Sequence, residues 1–487
     1  MLRNISKIVF AFSLLFLALT ILLIPFQLMG VTDQGYWINS LYNFIHSGEF
    51  VTSFNDRHNF SEHSLLLLIS PLALIRNPIL FSYVLYYLTY LSWFLTFYLL
   101  YFGKFNYQNF LKSFILFFCS TTVIFHYALN FNGWNSIYIS PPILMAAYFF
   151  AFIKNDYHKS ILIYLPLLLL KIQFWIILPF FLLAIYYQSR DKKFIFYVST
   201  SIIIFLLYLF GRQFLFAHST TGNLLNLSYS HILNGNIKVF FEIFFNSFMV
   251  KIALISAFFI QFIFLFDLKN ISKNDFLTYA LLIFPIFSYC ILSDRTVMSY
   301  WTHEHYVLPV LPVIFLILKK YGAFSRKRIT LFILVNIVLI TGIYSLKEPW
   351  QFKYYQDQNQ LVKKIQPLLV LNHNDHILSD DRTGLYLANY QANFLKFITD
   401  KTRPPKYIII NTRYIFYTNN IKRAKSINTI SSFEYVQEYE KNLDGYGILY
   451  LNYPFVVYEN NLKSEIKINS KVIDDWDVKF NQLNKFL

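Results

Sequence analysis

Residues 31–63, VTDQGYWINSLYNFIHSGEFVTSFNDRHNFSEH, form the first polar stretch of the chain. They follow an apolar run at 8–30, and beyond them the sequence stays largely apolar until about residue 346. The run at 8–30 is preceded by Arg3 and Lys7, exceeds a signal-peptide core in length and lacks a small-x-small cleavage site, so it reads as an uncleaved anchor with its N-terminus in the cytoplasm. Asp33 then emerges on the outer face. The stretch ends in Asp56, Arg57, His58, Glu62 and His63, a concentration of titratable groups beside the bilayer that marks it as a working surface.

Composition agrees with a membrane class. The chain has 487 residues, of which 56% are hydrophobic and 21% aromatic, against about 45–50% apolar in an ordinary soluble domain. The net charge of +16 lies mostly in short loops between apolar runs, so it reports orientation rather than affinity for nucleic acid. Cys119 and Cys290 both lie inside apolar runs and suggest neither a disulfide framework nor a metal-ligand pattern.

Counting apolar runs gives about eleven transmembrane helices, at 8–30, 79–102, 113–128, 137–153, two within 161–187, then 194–216, 245–266, 276–292, 306–318 and 329–345. The twelve residues 64–75 make only about 18 Å of helix and are set aside as juxtamembrane, being too short for a core of about 30 Å. The run 161–187 is broken at Lys171 and Gln173. Reading it as two passes places 188–193, 267–275 and 319–328 on the cytoplasmic side and Lys171 at the outer end of a hairpin. The expected fold is therefore an all-α polytopic membrane domain over 1–345, with first outer loop 31–63, and a small extracytoplasmic α/β domain over 346–487. In the latter, Tyr407 to Ile410 and Tyr446 to Tyr450 read as strands, with Pro404-Pro405 and Asp444-Gly445 as loop and turn signals.

That topology gathers Asp33, Arg57, His58, His63, Asn132, Asn135, Lys171, Gln173, Asp294, Arg295, His303, Glu304, His305 and Tyr306 on the outer face. One carboxylate with several cations suits base activation of a hydroxyl and stabilisation of an anionic leaving group. A lipid-linked phosphate reaches such a site only at a bilayer interface, so the expected reaction is sugar transfer from a polyprenyl-phosphate carrier to a glycan, lipid or protein acceptor. Plainer readings stand beside each candidate. Asp33 would cap a helix starting near Gln34, Arg57 and His58 would be solvated, His63 would mark a helix start, and Lys171 would snorkel. Trp134, between Asn132 and Asn135, together with His305 and Tyr306, would anchor the interface. Asp294, Arg295, His303 and Glu304 would form a local ion-pair cluster, and Asp380-Asp381 a turn.

The order D-x-G-x-x-x-x-x-L (Asp33, Gly35, Leu41), H-S-G (46–48) and N-F-x-x-H (59–63), running into L-L-L-L-x-S-P, resembles the DUF2079 family of polytopic prokaryotic proteins, which is similar to the wider GT-C class of membrane glycosyltransferases. The resemblance covers roughly residues 8–345. It implies a GT-C-like transferase of hexosyl or pentosyl groups in the inner membrane of a prokaryote, inverting, with Asp33 as catalytic base. The family's Lys-Glu-Asp element corresponds to Lys171-Ile172-Gln173, where both acids are replaced, and its late H-Y-x-x-x-x-x-P element to His305, Tyr306 and Pro312. A divalent cofactor, Mg or Mn, is admitted by the resemblance but not required. Walker, G-x-G-x-x-G and H-E-x-x-H motifs are absent. The competing readings are a transporter or flippase of lipid-linked envelope precursors, and a non-catalytic envelope-assembly protein.

Overall fold

The computed structural model describes residues 37–48, 64–103, 109–117, 134–215, 262–292, 308–345, 362–379, 387, 392–394, 404–411, 443–468 and 471–478, some blocks with gaps of one or two residues. Backbone contacts divide the chain into two compact units, one built on 1–25, 51–69 and 83–345, the other on 26–50, 70–82 and 346–487.

The first unit is helical. α1 (Pro78–Phe97) continues into a π-helical turn, Tyr98–Phe102, which Gly103 closes with a left-handed φ of 76° and a bond from its N–H to the Tyr98 carbonyl. α2 (Ser140–Phe152) starts with Pro141-Pro142, whose missing N–H groups cost nothing in a first turn. α3 (Tyr157–Tyr164), capped by Asp156, tightens into a 3-10 turn over Leu165–Leu169. α4 (Ile172–Ser189), α5 (Lys193–Leu215), α6 (Lys273–Leu292), α7 (Val310–Tyr321) and α8 (Arg326–Ser345) follow.

Side-chain contacts fix how these helices run. Trp93 packs on Tyr138, and Tyr101 on Phe149, so α1 and α2 are parallel. Phe97 lies on Phe315 at 4.0 Å between ring centroids, and Lys319 meets the Tyr101 carbonyl, which sets α7 parallel to both. Tyr164 stacks on Phe181 and Trp175 on Tyr208, so α4 returns against α3, and α5 returns against α4. Tyr279 and Tyr321 join the start of α6 to the end of α7. The connections 154–159, 190–193, 267–275 and 319–328 therefore share one end, carrying twelve Lys or Arg against four Asp.

One ion cluster ties that end together. Asp275 accepts from Lys320 at 2.7 Å, from Tyr321 and from Ser272. Burial pushes its carboxyl up, but the hydrogen bonds from Lys320 and Tyr321 outweigh that and hold it below the ordinary carboxylate range. A group depressed in the folded state contributes stability above the unfolded value, near 3.9, and loses it as pH falls through the folded one. Asp275→Asn is therefore expected to lower the melting temperature at pH 7 and to narrow its gap to wild type below about pH 4, read by thermal melts across pH. A constant gap would remove the ion cluster as its source.

The expectation of about eleven membrane-spanning helices is corrected by this structure. Among the described residues one helix, Leu80–Phe102, is long and apolar enough to cross a membrane. Five further stretches qualify only as shorter apolar helices of 10–17 residues, Ser64–Leu74, Ser136–Phe152, Tyr157–Leu169, Gln173–Ser189 and Lys193–Tyr208, about 15–26 Å against a core of about 30 Å. Apolar composition continues through positions where helical geometry does not: Ser64–Leu74 is a 3-10 helix containing Pro71, and Leu165–Leu169 breaks the run at 161–187. The expected run at 8–30, and most of 113–128 and 245–266, lie outside the described residues.

Helix Leu80–Phe102 is apolar all round. Phe81, Leu85, Trp93 and Phe97 are buried, while Leu80, Leu88, Leu91, Leu95 and Leu99 are exposed, Leu99 at 62%. In water the outer stripe of such a helix is polar, and a leucine stripe is the surface a bilayer covers.

The second unit holds a five-stranded mixed sheet in the order β2-β1-β3-β5-β4, built from β1 (Ile377–Ser379), β2 (Ala392–Phe394), β3 (Tyr407–Asn411), β4 (Tyr446–Asn452) and β5 (Phe455–Asn460). β1 pairs parallel with β2 and β3; β5 pairs antiparallel with β3 and β4. Residues 377–379 and 407–410 are buried throughout, as unbroken apolar runs in interior strands should be. Leu378, Ile408, Ile410, Val456, Tyr458 and Trp476 form the core. Lys406 and Asp375 pair at 3.2 Å where β3 and β1 begin. At edge strand β4, Gly447 is a close approach: a Cβ there would stand 2.2 Å from the Leu462 carbonyl oxygen. Ser464 bonds to the Ile448 carbonyl and covers that edge.

Candidate functional site

Lys171 interrupts the apolar run between α3 and α4. Its backbone is extended, at φ −155° and ψ 150°, and it is the N-cap of α4 without a side-chain capping bond. Around it the chain reverses: the Tyr164 hydroxyl donates to the Phe174 carbonyl at 2.8 Å, and the Trp175 indole N–H to the Leu168 carbonyl at 2.9 Å. The break thus falls where the charged residue sits. Leaving Lys171 inside a continuous helix would carry its ammonium into apolar packing; at the reversal it is half-buried instead.

Two positions later Gln173 is 97% buried by its 3% exposure, and neither its amide oxygen nor its amide nitrogen has a hydrogen-bond partner. A buried amide left so costs about 1–3 kcal/mol. The α4 N-terminus also presents backbone N–H groups that no helical carbonyl can satisfy.

Two features of this corner are not visible in the local sequence. The hydroxyl of Ser64, the residue directly after His63, donates to the Leu169 carbonyl at 3.4 Å, so the chain leaving residues 31–63 arrives beside the reversal. And the stack of Trp175 on Tyr208, 5.0 Å apart and 6° from parallel, holds α5 against the start of α4. Lys171 lies at the end of the first unit opposite the basic connections.

Of the expected site residues, Lys171 and Gln173 are described and lie at one helix start. Asp33, Arg57, His58, His63, Asn132, Asn135, Arg295, His305 and Tyr306 lie outside the described residues. Trp134 is described. It is wholly buried, its indole donating to Thr89 Oγ1 at 3.0 Å and its ring edge-on to Tyr138, so it packs between α1 and the start of α2 rather than offering a stacking face. Among the described residues no three His, Cys, Asp or Glu side chains converge on one point.

No protein-family model matches the chain, and no curated protein matches it.

Proposed function

We propose that the protein is a membrane glycosyltransferase that moves a sugar from a polyprenyl-phosphate carrier to an acceptor hydroxyl, with Asp33 as general base. The observation that carries the reading is the Ser64–Leu169 hydrogen bond, which joins the chain just after the acid-, Arg- and His-bearing stretch 31–63 to the reversal with Lys171 and the unpartnered Gln173 amide. A half-buried cation, a buried amide with spare donors and an open helix N-terminus suit a phosphate and a polar head group.

In the proposed step, Asp33 takes the proton of the acceptor hydroxyl, and that oxygen bonds to the anomeric carbon of the donor sugar. The bond from that carbon to the phosphate oxygen breaks, its electron pair leaving on the polyprenyl phosphate, and the configuration inverts. Lys171 stabilises the departing phosphate, with Arg57, His58, His63, Arg295 and His305 as further cations or donors, and Asn132, Asn135, Gln173 and Tyr306 as head-group or acceptor contacts. Helix Leu80–Phe102 and its exposed leucine stripe support a membrane location. The basic connections at the opposite end support a cytoplasmic placement of that end, with the site on the outer face of the inner membrane of a prokaryote.

The test is direct transfer by the purified full chain from a panel of radiolabelled polyprenyl-phosphate sugars, with lipid, glycan and protein acceptors. Label should pass from one donor to an acceptor. A protein that binds these donors and moves them between leaflets of vesicles without cleaving them would be a carrier instead.

A further inference from the structure

The basic end of the first unit contains a cavity of about 260 Å³ that the transfer reaction does not use. Its walls are mostly apolar, from Phe97, Tyr101, Phe102, Leu116, Phe315, Leu318 and Phe324, with Asn109 and Lys319 as its polar lining. We propose that this cavity holds an anionic membrane lipid, its head group on Lys319 and the start of its acyl chain against the aromatic wall.

Three observations lead there. First, the cavity lies where helix Leu80–Phe102 ends, on the segment of the chain that is long and apolar enough to cross a bilayer. Its volume lies just below the range of about 300–1,000 Å³ of ligand pockets, enough for part of an amphiphile.

Second, among the described residues Lys319 has no carboxylate partner. Its ammonium donates to the Tyr101 carbonyl, which the π-helical turn leaves at the end of its helix with no backbone N–H ahead of it. Among the described residues the ion pairs go to other lysines: Asp275 is taken by Lys320, Asp191 by Lys193 and Asp375 by Lys406. Burial, and after it the nearby cation Lys154, pull its proton affinity down. An anion placed there relieves both.

Third, the site contains its own selectivity. α7 and the π-helical turn both end here, and their carbonyl ends repel an anion. Lys319 caps one of them and supplies the compensating charge. A free anion gains nothing from the apolar walls, and a zwitterionic lipid gains little from the ammonium. A basic pocket between apolar helices at a membrane boundary is what an anionic head group requires.

The inference does not rest on sugar transfer, and its test reads lipid binding alone. The full-length protein in detergent is titrated with dioleoyl phosphatidylglycerol, with dioleoyl phosphatidylcholine and with inorganic phosphate, and retained lipid is counted by native mass spectrometry. Phosphatidylglycerol should be retained about fivefold better than phosphatidylcholine, the worth of one lysine near a membrane surface. Lys319→Gln should bring that ratio near one, Lys319→Arg should keep it, and Lys320→Gln, outside the cavity, should leave it unchanged. Equal retention of the two lipids by the wild-type protein overturns the proposal without recourse to any variant. So does a preference that survives Lys319→Gln, or one that inorganic phosphate at matched concentration removes.

Discussion

Asp33→Asn is expected to abolish sugar transfer while leaving expression, membrane insertion and donor binding near wild type. The substitution keeps the size and most hydrogen bonding of the side chain but removes the carboxylate that accepts a proton. If the acceptor hydroxyl is activated by that group, turnover falls by about 10²–10⁴-fold, the usual worth of a positioned general base. The alternative role for Asp33, capping a helix that starts near Gln34, predicts another result. Asn is as good an N-cap as Asp, so a capping residue would tolerate the change with full activity. Measuring initial rates at saturating donor, with binding of labelled donor in parallel, separates the two. Wild-type turnover in the Asn protein would remove Asp33 from the chemistry.

Gln173→Leu is expected to make the protein more stable and a poorer enzyme. The native amide is buried with no partner on either atom. Leucine fills similar space without polar atoms to strand, so unfolding should become harder by about 1–3 kcal/mol, the desolvation cost of an unsatisfied buried group. In the donor complex the same amide would find its partners. Losing them should lower kcat/KM by about tenfold or more, since one such bond to a charged ligand is worth about 1.5–3 kcal/mol. The two readouts together are diagnostic. A Leu variant that is more stable and fully active would mean the amide meets no substrate. A less stable one would mean that it is satisfied within the fold after all.

The local features were legible because they depend on neighbours in sequence. The reversal at Lys171 follows from a charge that cannot remain inside an apolar helix, and the structure starts α4 at the next residue. Tyr407 to Ile410 and Tyr446 to Tyr450, β-rich runs bounded by Pro404-Pro405 and Asp444-Gly445, are β3 and β4 apart from one or two residues at their ends. β1 and β2 span three residues each, too short to rise above background, and exist through pairing with β3 and with each other. The span count failed for a different reason. Hydropathy measures how long a run stays apolar, whereas crossing a bilayer depends on how long one helix continues, and the 3-10 turn at Leu165–Leu169 shortens a helix without making it less apolar.

Composition and periodicity by themselves determined that this protein is mostly helix, that its short connections are basic and that Lys171 is exceptional. All three follow from the transfer energies of side chains and the local geometry of the backbone. Tertiary structure alone decided which ends meet. It brought Ser64 to Leu169 across 105 positions of sequence. It also left the Gln173 amide unpartnered and formed an open pocket beside Lys319, because hydrogen-bond satisfaction and packing depend on residues distant in the chain that no local pattern encodes.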